Sequence, residues 1–161
     1  GGQIVKAITI WQPWASLLAC GGKRFETRSW ATSYRGPIAI HAAKKSVFDA
    51  LALIPVPVAL EMKRLIGAER KDLPTGAVIA TANLVGCHGI CEVQKDRTSP
   101  RVAGYRDCNR IGTWIVASDR EVSFGDWTPG RYAWELSDMK IIASVPVSGR
   151  QGLWEWKEGA P

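Results

Sequence analysis

The longest β-rich run in the chain, TGAVIATANLVGCHGICEV at 75–93, sets the narrowest limit on the fold that can form around it. Val, Ile and Thr recur in it, and glycines interrupt it. Branched side chains suit a pleated surface, and glycines weaken a helix of this length. The run predicts one long strand, or a strand with a bulge at Gly86 or Gly89. A strand needs a sheet to bury its apolar face, so the fold must contain one.

Other stretches supply the partners. VKAITI (5–10) is short, β-branched and alternating. RFETRSW (24–30) places Arg24, Glu26, Arg28 and Trp30 on one parity and Phe25, Thr27 and Ser29 on the other, as a strand with one charged face does. IAIHAA (38–43) is apolar on both faces apart from His41. GTWIVAS (112–118) reads as a strand or short helix. RYAWELSD (131–138) alternates strongly, and KIIASVPV (140–147) follows it as a partner strand. In QPWASLLACGG (12–22), Pro13 near the start and glycines at the end mark a helix. Two more helices are expected near 45–53 and 57–66, separated by IPVPV (54–58). TSYRGP (32–37) and SFGDWTPG (123–130) read as turns, and the polar segment 94–110 as a mobile loop. Trp154 and Trp156 stand where they would close a barrel end. The expected whole is a single α+β domain, 1–161, with a strongly bent sheet and two to four helices. Gly1 and Gly2 read as a remnant of cloning.

At 161 residues the chain is long enough for one domain with a real core, and 46% hydrophobic with 22% charged residues is ordinary globular material. No apolar run approaches the roughly 20 residues that span a bilayer, and the first residues lack the pattern of a secretory signal. A cytoplasmic protein with no membrane partner is expected. Cys20, Cys87, Cys91 and Cys108 then read as free thiols. In CHGIC the spacing is C-x3-C, which on a straight strand separates the sulfur-bearing residues by about 13 Å, too far for one zinc ion. No metal and no cofactor are expected. Phosphate-loop, H-E-x-x-H and G-x-S-x-G signatures are absent, and His41 and His88 are the only histidines.

Charge is unevenly spread. Residues 1–50 hold seven basic and two acidic side chains, a net +5, whereas the other 111 residues hold 14 basic and 13 acidic, a net +1. A basic third suggests an anionic partner, most often nucleic acid. Within that third lies GGKRFETRSW (21–30). The strand period puts Glu26 and Arg28 on one face, their Cα atoms about 6.7 Å apart. Lys23 stands at the turn before them, and Gly21-Gly22 lets the chain reverse. A carboxylate between two cations holds oriented donors for a phosphate or a base edge. The competing reading is a surface salt bridge worth at most ~1 kcal/mol. Trp11, Trp14 and Trp30 nearby offer faces for stacked bases, although core packing would also explain them.

Gly21, Lys23, Glu26 and Arg28 match the pattern G-x-K-x-x-E-x-R. Together with QPWASLL before it and RSW…RG after it, the pattern resembles the ASCH family, named for homology to activating signal cointegrator 1. The late segments GRYAWEL and GRQGLW resemble bacterial members. The resemblance implies a PUA-like fold, a small β-barrel flanked by helices, with the motif lining a cleft, and RNA or single-stranded nucleic acid as ligand. It places Gly21, Lys23, Glu26 and Arg28 in that cleft. Some small relatives are amidohydrolases of an acylated cytidine, and others are linked to ribonuclease activity. In the amidohydrolase branch a threonine holds the position of Glu26, and this sequence departs there.

Two function classes follow. In the first, Lys23, Arg28, Arg35 and Lys44 meet phosphates, Trp11, Trp14 or Trp30 stacks a base, and Glu26 orients the cations or accepts from a base amino group. In the second, Glu26 is general base on water with Lys23 as proton donor, in a nucleoside amidohydrolase or a ribonuclease. Two flanking cations favour a bound carboxylate over a proton-accepting one. The sequence carries little support for a protein-interaction module and leaves the oligomeric state open.

Overall fold

The structure, a computed structural model, describes residues 2–95, 102–107 and 114–159. In chain order the strands are β1 (Ile4–Ile10), β2 (Phe25–Arg28), β3 (Gly36–Ala42), β4 (Ala77–Lys95), β5 (Val102–Asp107), β6 (Trp114–Ser118), β7 (Tyr132–Pro146) and β8 (Leu153–Lys157). The helices are α1 (Trp14–Ala19), α2 (Val47–Leu51), α3 (Val56–Ile66) and α4 (Asp119–Ser123), with a 3-10 turn at Arg70–Asp72. None is long and apolar enough to cross a membrane. The fold is α+β. The strands follow the order β2-β7-β4-β3-β1-β8, with β5 on β4 and β6 on β5. Among the described residues the two ends of that order do not pair, so the expected β-barrel is not formed.

The chain forms two compact units. The first comprises Gly1–Lys23, Gly36–Asn83 and Ser137–Pro161, the second Arg24–Arg35 and Leu84–Leu136. In the first unit β1 lies parallel to β3, with Ile8 opposite Ile40, and antiparallel to β8, with Ala7 opposite Trp154 and Val5 opposite Trp156. Trp154 and Trp156 therefore do not close a barrel. They pack with Ala7, Ala39 and Val78 as a core cluster on the sheet. Leu17 and Leu18 of α1 are fully buried, and removing such a side chain costs about 2–5 kcal/mol.

The break between α2 and α3 falls at the start of the IPVPV segment, and the rest of the segment opens α3. Pro55 caps α3 and Pro57 lies in its first turn, where a missing N–H costs nothing. The helix stops at Gly67, whose φ of 71° suits glycine.

In the second unit β2 runs antiparallel to β7, while β5 pairs with both β4 and β6. Phe25, Ile90, Ala117, Trp127 and Ala133 form its core cluster, with Phe25 edge-on to Trp127 at 5.5 Å. The irregularity expected at Gly86 or Gly89 falls between Ile90 and Val93 in the β4–β5 register. Part of the expected loop 94–110 is strand, at Val102–Asp107, and the rest lies largely outside the described residues.

RYAWELSD and KIIASVPV are not partners but parts of one strand, β7. Asp138 interrupts it with a φ of 51°, a conformation that Asp tolerates when its side chain bonds locally. Here the Asp138 carboxylate accepts from Asn83 Nδ2 at 3.1 Å and from Ser137 Oγ at 3.0 Å, and these bonds lower its pKa.

Candidate functional site

The boundary between the units falls inside the G-x-K-x-x-E-x-R motif, after Lys23. On the first side α1 ends at Cys20, and Gly21 turns the chain with a φ of 78°. Gly22 is needed for contact: a Cβ there would come within 2.8 Å of Leu17 Cδ1. The Lys23 N–H donates to Leu17 O at 3.2 Å. Lys23 itself is buried, 2% exposed, so its stem is part of the packing of this unit.

On the second side β2 begins under a clamp. The Glu121 carboxylate, from α4, accepts from Arg24 N at 3.2 and 3.1 Å and from Phe25 N at 2.9 Å. Ser118 Oγ accepts from Glu121 N at 3.1 Å, which caps α4 and fixes the carboxylate's origin. From Phe25 onward the side chains alternate. Phe25 and Thr27 turn inward, and Thr27 Oγ1 accepts from Asp126 N at 3.1 Å. Glu26 and Arg28 take the other face.

There Arg28 Nε and Glu26 Oε1 form an ion pair at 3.1 Å, with the side chains 26% and 12% exposed. The register sets Trp134 opposite Glu26 and Tyr132 opposite Arg28, so both aromatics share this face of the ladder. Trp30 stands edge-on to Trp134, centroids 4.7 Å apart and planes at 85°, and Trp134 Nε1 donates to Trp30 O at 3.3 Å. A carboxylate, a guanidinium and the half-buried rings of Trp30 and Tyr132 thus gather around one short ladder, with the fully buried Trp134 as their support. Such a surface can hydrogen-bond a base edge, stack a ring or hold a phosphate oxygen.

The other candidate residues lie apart in function. Arg35 is exposed and donates to the carbonyls of Thr32 at 3.0 Å and Tyr34 at 2.8 Å, within its own turn. In the first unit Trp11 is exposed, with Lys45 Nζ 3.6 Å over its ring. Trp14 opens α1 half-buried, and exposed Lys44 rests its stem on Gly76. Cys20 and Cys87 are in no disulfide. Among the described residues no three His, Cys, Asp or Glu side chains gather to hold a metal, and Cys108 lies outside them.

Sequence reasoning missed Glu121, Tyr132 and Trp134. The alternation of RYAWEL carried a signal for the last two. Glu121 had none, because the amides it holds are 96 and 97 positions away.

The ASCH domain profile matches residues 8–140 of the chain. Activating signal cointegrator 1 of Mus musculus is 32% identical over 158 residues, covering 92% of this chain and 22% of that protein. Activating signal cointegrator 1 of Homo sapiens is 35% identical over 81 residues, covering 50% of this chain and 14% of that protein. The chain thus spans about a fifth or less of the length of these relatives. The crystal structure of a point mutant of ZmASCH from Zymomonas mobilis aligns with 95% of this chain and 90% of its own, at 16% identity and a TM-score of 0.46. With the domain profile covering most of its length, this chain belongs to the ASCH domain family.

Proposed function

We propose that the protein binds single-stranded nucleic acid, RNA foremost, through the Glu26–Arg28 face of the β2–β7 ladder. The observation that supports this most is the 3.1 Å Arg28–Glu26 pair beside Trp30, Tyr132 and Trp134. A pair kept only for stability is worth little when partly wet. The same pair beside aromatic side chains has a use, because guanidinium and carboxylate discriminate base edges while indole and phenol rings stack. The net +5 of residues 1–50 supplies the long-range attraction. Gly21, Lys23, Trp11, Trp14 and Lys44 of the first unit, and Arg35 of the second, are further contacts to be tested singly. The hydrolase alternative asks Glu26 to accept a proton from water, and its engagement by Arg28 favours binding instead.

Fluorescence anisotropy with short single-stranded RNA and DNA at several salt concentrations tests the reading. Binding should weaken steeply with salt, by a log–log slope near −0.7 per phosphate neutralised. Arg28→Ala should weaken it roughly tenfold. Absence of binding at low salt, or turnover of N4-acetylcytidine by the same preparation with no oligonucleotide affinity, would overturn it.

A further inference from the structure

The opposite face of the same ladder carries a second set of charges. Glu135 sits across from Phe25 in the β2–β7 register, one position from the Glu26–Trp134 pair and therefore on the other side of the pleat. Its Oε1 accepts from Arg24 Nη2 at 2.7 Å, and its Oε2 meets His88 Nε2 at 2.9 Å. The cluster is built in closely. A Cβ on Gly86 would fall 2.6 Å from His88 Nε2 and 3.3 Å from Glu135 Oε2, so this position must be glycine for His88 to reach Glu135.

Arg24 is held at three points. Its main-chain N–H is fixed by the buried carboxylate of Glu121, at 3.2 and 3.1 Å. Its guanidinium is fixed by Glu135, and its Cζ lies 4.9 Å from the centroid of the Phe25 ring. Yet its side chain is 61% exposed. An arginine carries five N–H donors in a rigid fork, and only one contact to Glu135 draws on them among the described residues. The exposed fork is already oriented. Ordering a long flexible side chain is a main cost of binding an anion, and here the fold has met it beforehand.

We infer that Arg24, oriented by Glu121 and Glu135, is a second phosphate-contact residue, at the residue just before β2. This rests on the nucleic-acid reading and extends it. Arg24 stands one residue before β2 and Arg28 ends it, so one single strand of nucleic acid running along β2 meets both in turn. Arg24 takes backbone phosphate, which carries no sequence information. Base discrimination stays with the Glu26–Arg28 face.

The test is anisotropy on the whole chain with a single-stranded oligonucleotide, comparing Arg24→Gln, Arg24→Lys and Arg28→Ala, with thermal melts of each. Arg24→Gln should weaken binding roughly threefold to tenfold, and flatten the salt slope by about 0.7. Arg24→Lys should keep the slope but lose part of the affinity, because it keeps the charge and loses the fork. Unchanged affinity and slope in Arg24→Gln, with weaker binding in Arg28→Ala, overturns the Arg24 assignment alone and leaves the proposed function standing. If Arg24→Gln does not fold, wild-type affinity in Arg24→Lys overturns the assignment. No binding by the wild-type protein at low salt overturns both.

Discussion

β3 in the first unit and β2 in the second each place polar side chains within an apolar pattern, and accommodate them in opposite ways. On β3 both faces are covered, and His41 is 1% exposed. Its Nε2–H donates to Val147 O at 2.8 Å, and its ring stands edge-on to Trp154 at 5.6 Å. Gly149 lies so near that a Cβ there would be 2.5 Å from Cε1. Burial pushes the His41 pKa below its usual value, against the opposing pull of the Val147 carbonyl, so the imidazole is kept neutral. On β2 only one face is covered. Phe25 and Thr27 take it, while Glu26 and Arg28 stay charged, paired and in partial contact with water. A strand with two covered faces must discharge its polar residue, whereas a strand with one open face can keep an ion pair intact. That is why a charged ligand is sought on β2 and not on β3.

The largest expected effect tests whether the open face of β2 has a rigid floor. Trp134 is 1% exposed and supports both Glu26 and Trp30. Trp134→Ala should cost about 3–5 kcal/mol in urea unfolding. A loss below about 1 kcal/mol would mean that this face is not packed as described.

A smaller effect should come from His41. Its folded pKa lies below the unfolded value of 6.5, so the unfolded chain binds the proton more readily. Its contribution is fully present above that pH and is lost as pH falls through it. His41 Nδ1 meets no hydrogen-bond partner among the described residues, so a proton added there brings a buried charge with nothing to receive it. Stability measured from pH 7 to pH 5 should drop, and His41→Gln should flatten that drop. An unchanged slope would remove His41 as its source.

The smallest effect should be that of Glu26→Gln. Strand pairing does not require the charge, and a partly exposed pair contributes at most ~1 kcal/mol. Circular dichroism should be unchanged and the melt nearly so, while oligonucleotide affinity shifts. A variant that fails to fold would instead assign Glu26 to a structural network and erase the contrast with β3.

What the sequence disclosed was local. β1, β3 and the charged face of β2 were legible because alternation and apolar runs act within a few residues. The single strand β7 was not, because its continuity depends on Asn83 stabilising the unusual backbone of Asp138, 55 positions away. α3 was legible to within one residue of its start, where Pro57 is tolerated in the first turn although a proline breaks a helix interior. At the candidate site, Glu26, Arg28 and Trp30 were readable from spacing. Their supports, Glu121 and Trp134, were not, since each is brought to β2 by the fold and not by the chain.

The crossing of Trp30 and Trp134 gives the site its own optical signature. Two indoles 4.7 Å apart, with planes at 85°, couple their electronic transitions, and the coupling depends on distance and angle. The other six tryptophans in the chain crowd any fluorescence signal. An exciton couplet in circular dichroism arises from closely spaced indoles such as this pair. It reports Trp30 and Trp134 beside Arg28, without a label and without mutation, and it changes when anything entering that face turns the Trp30 ring.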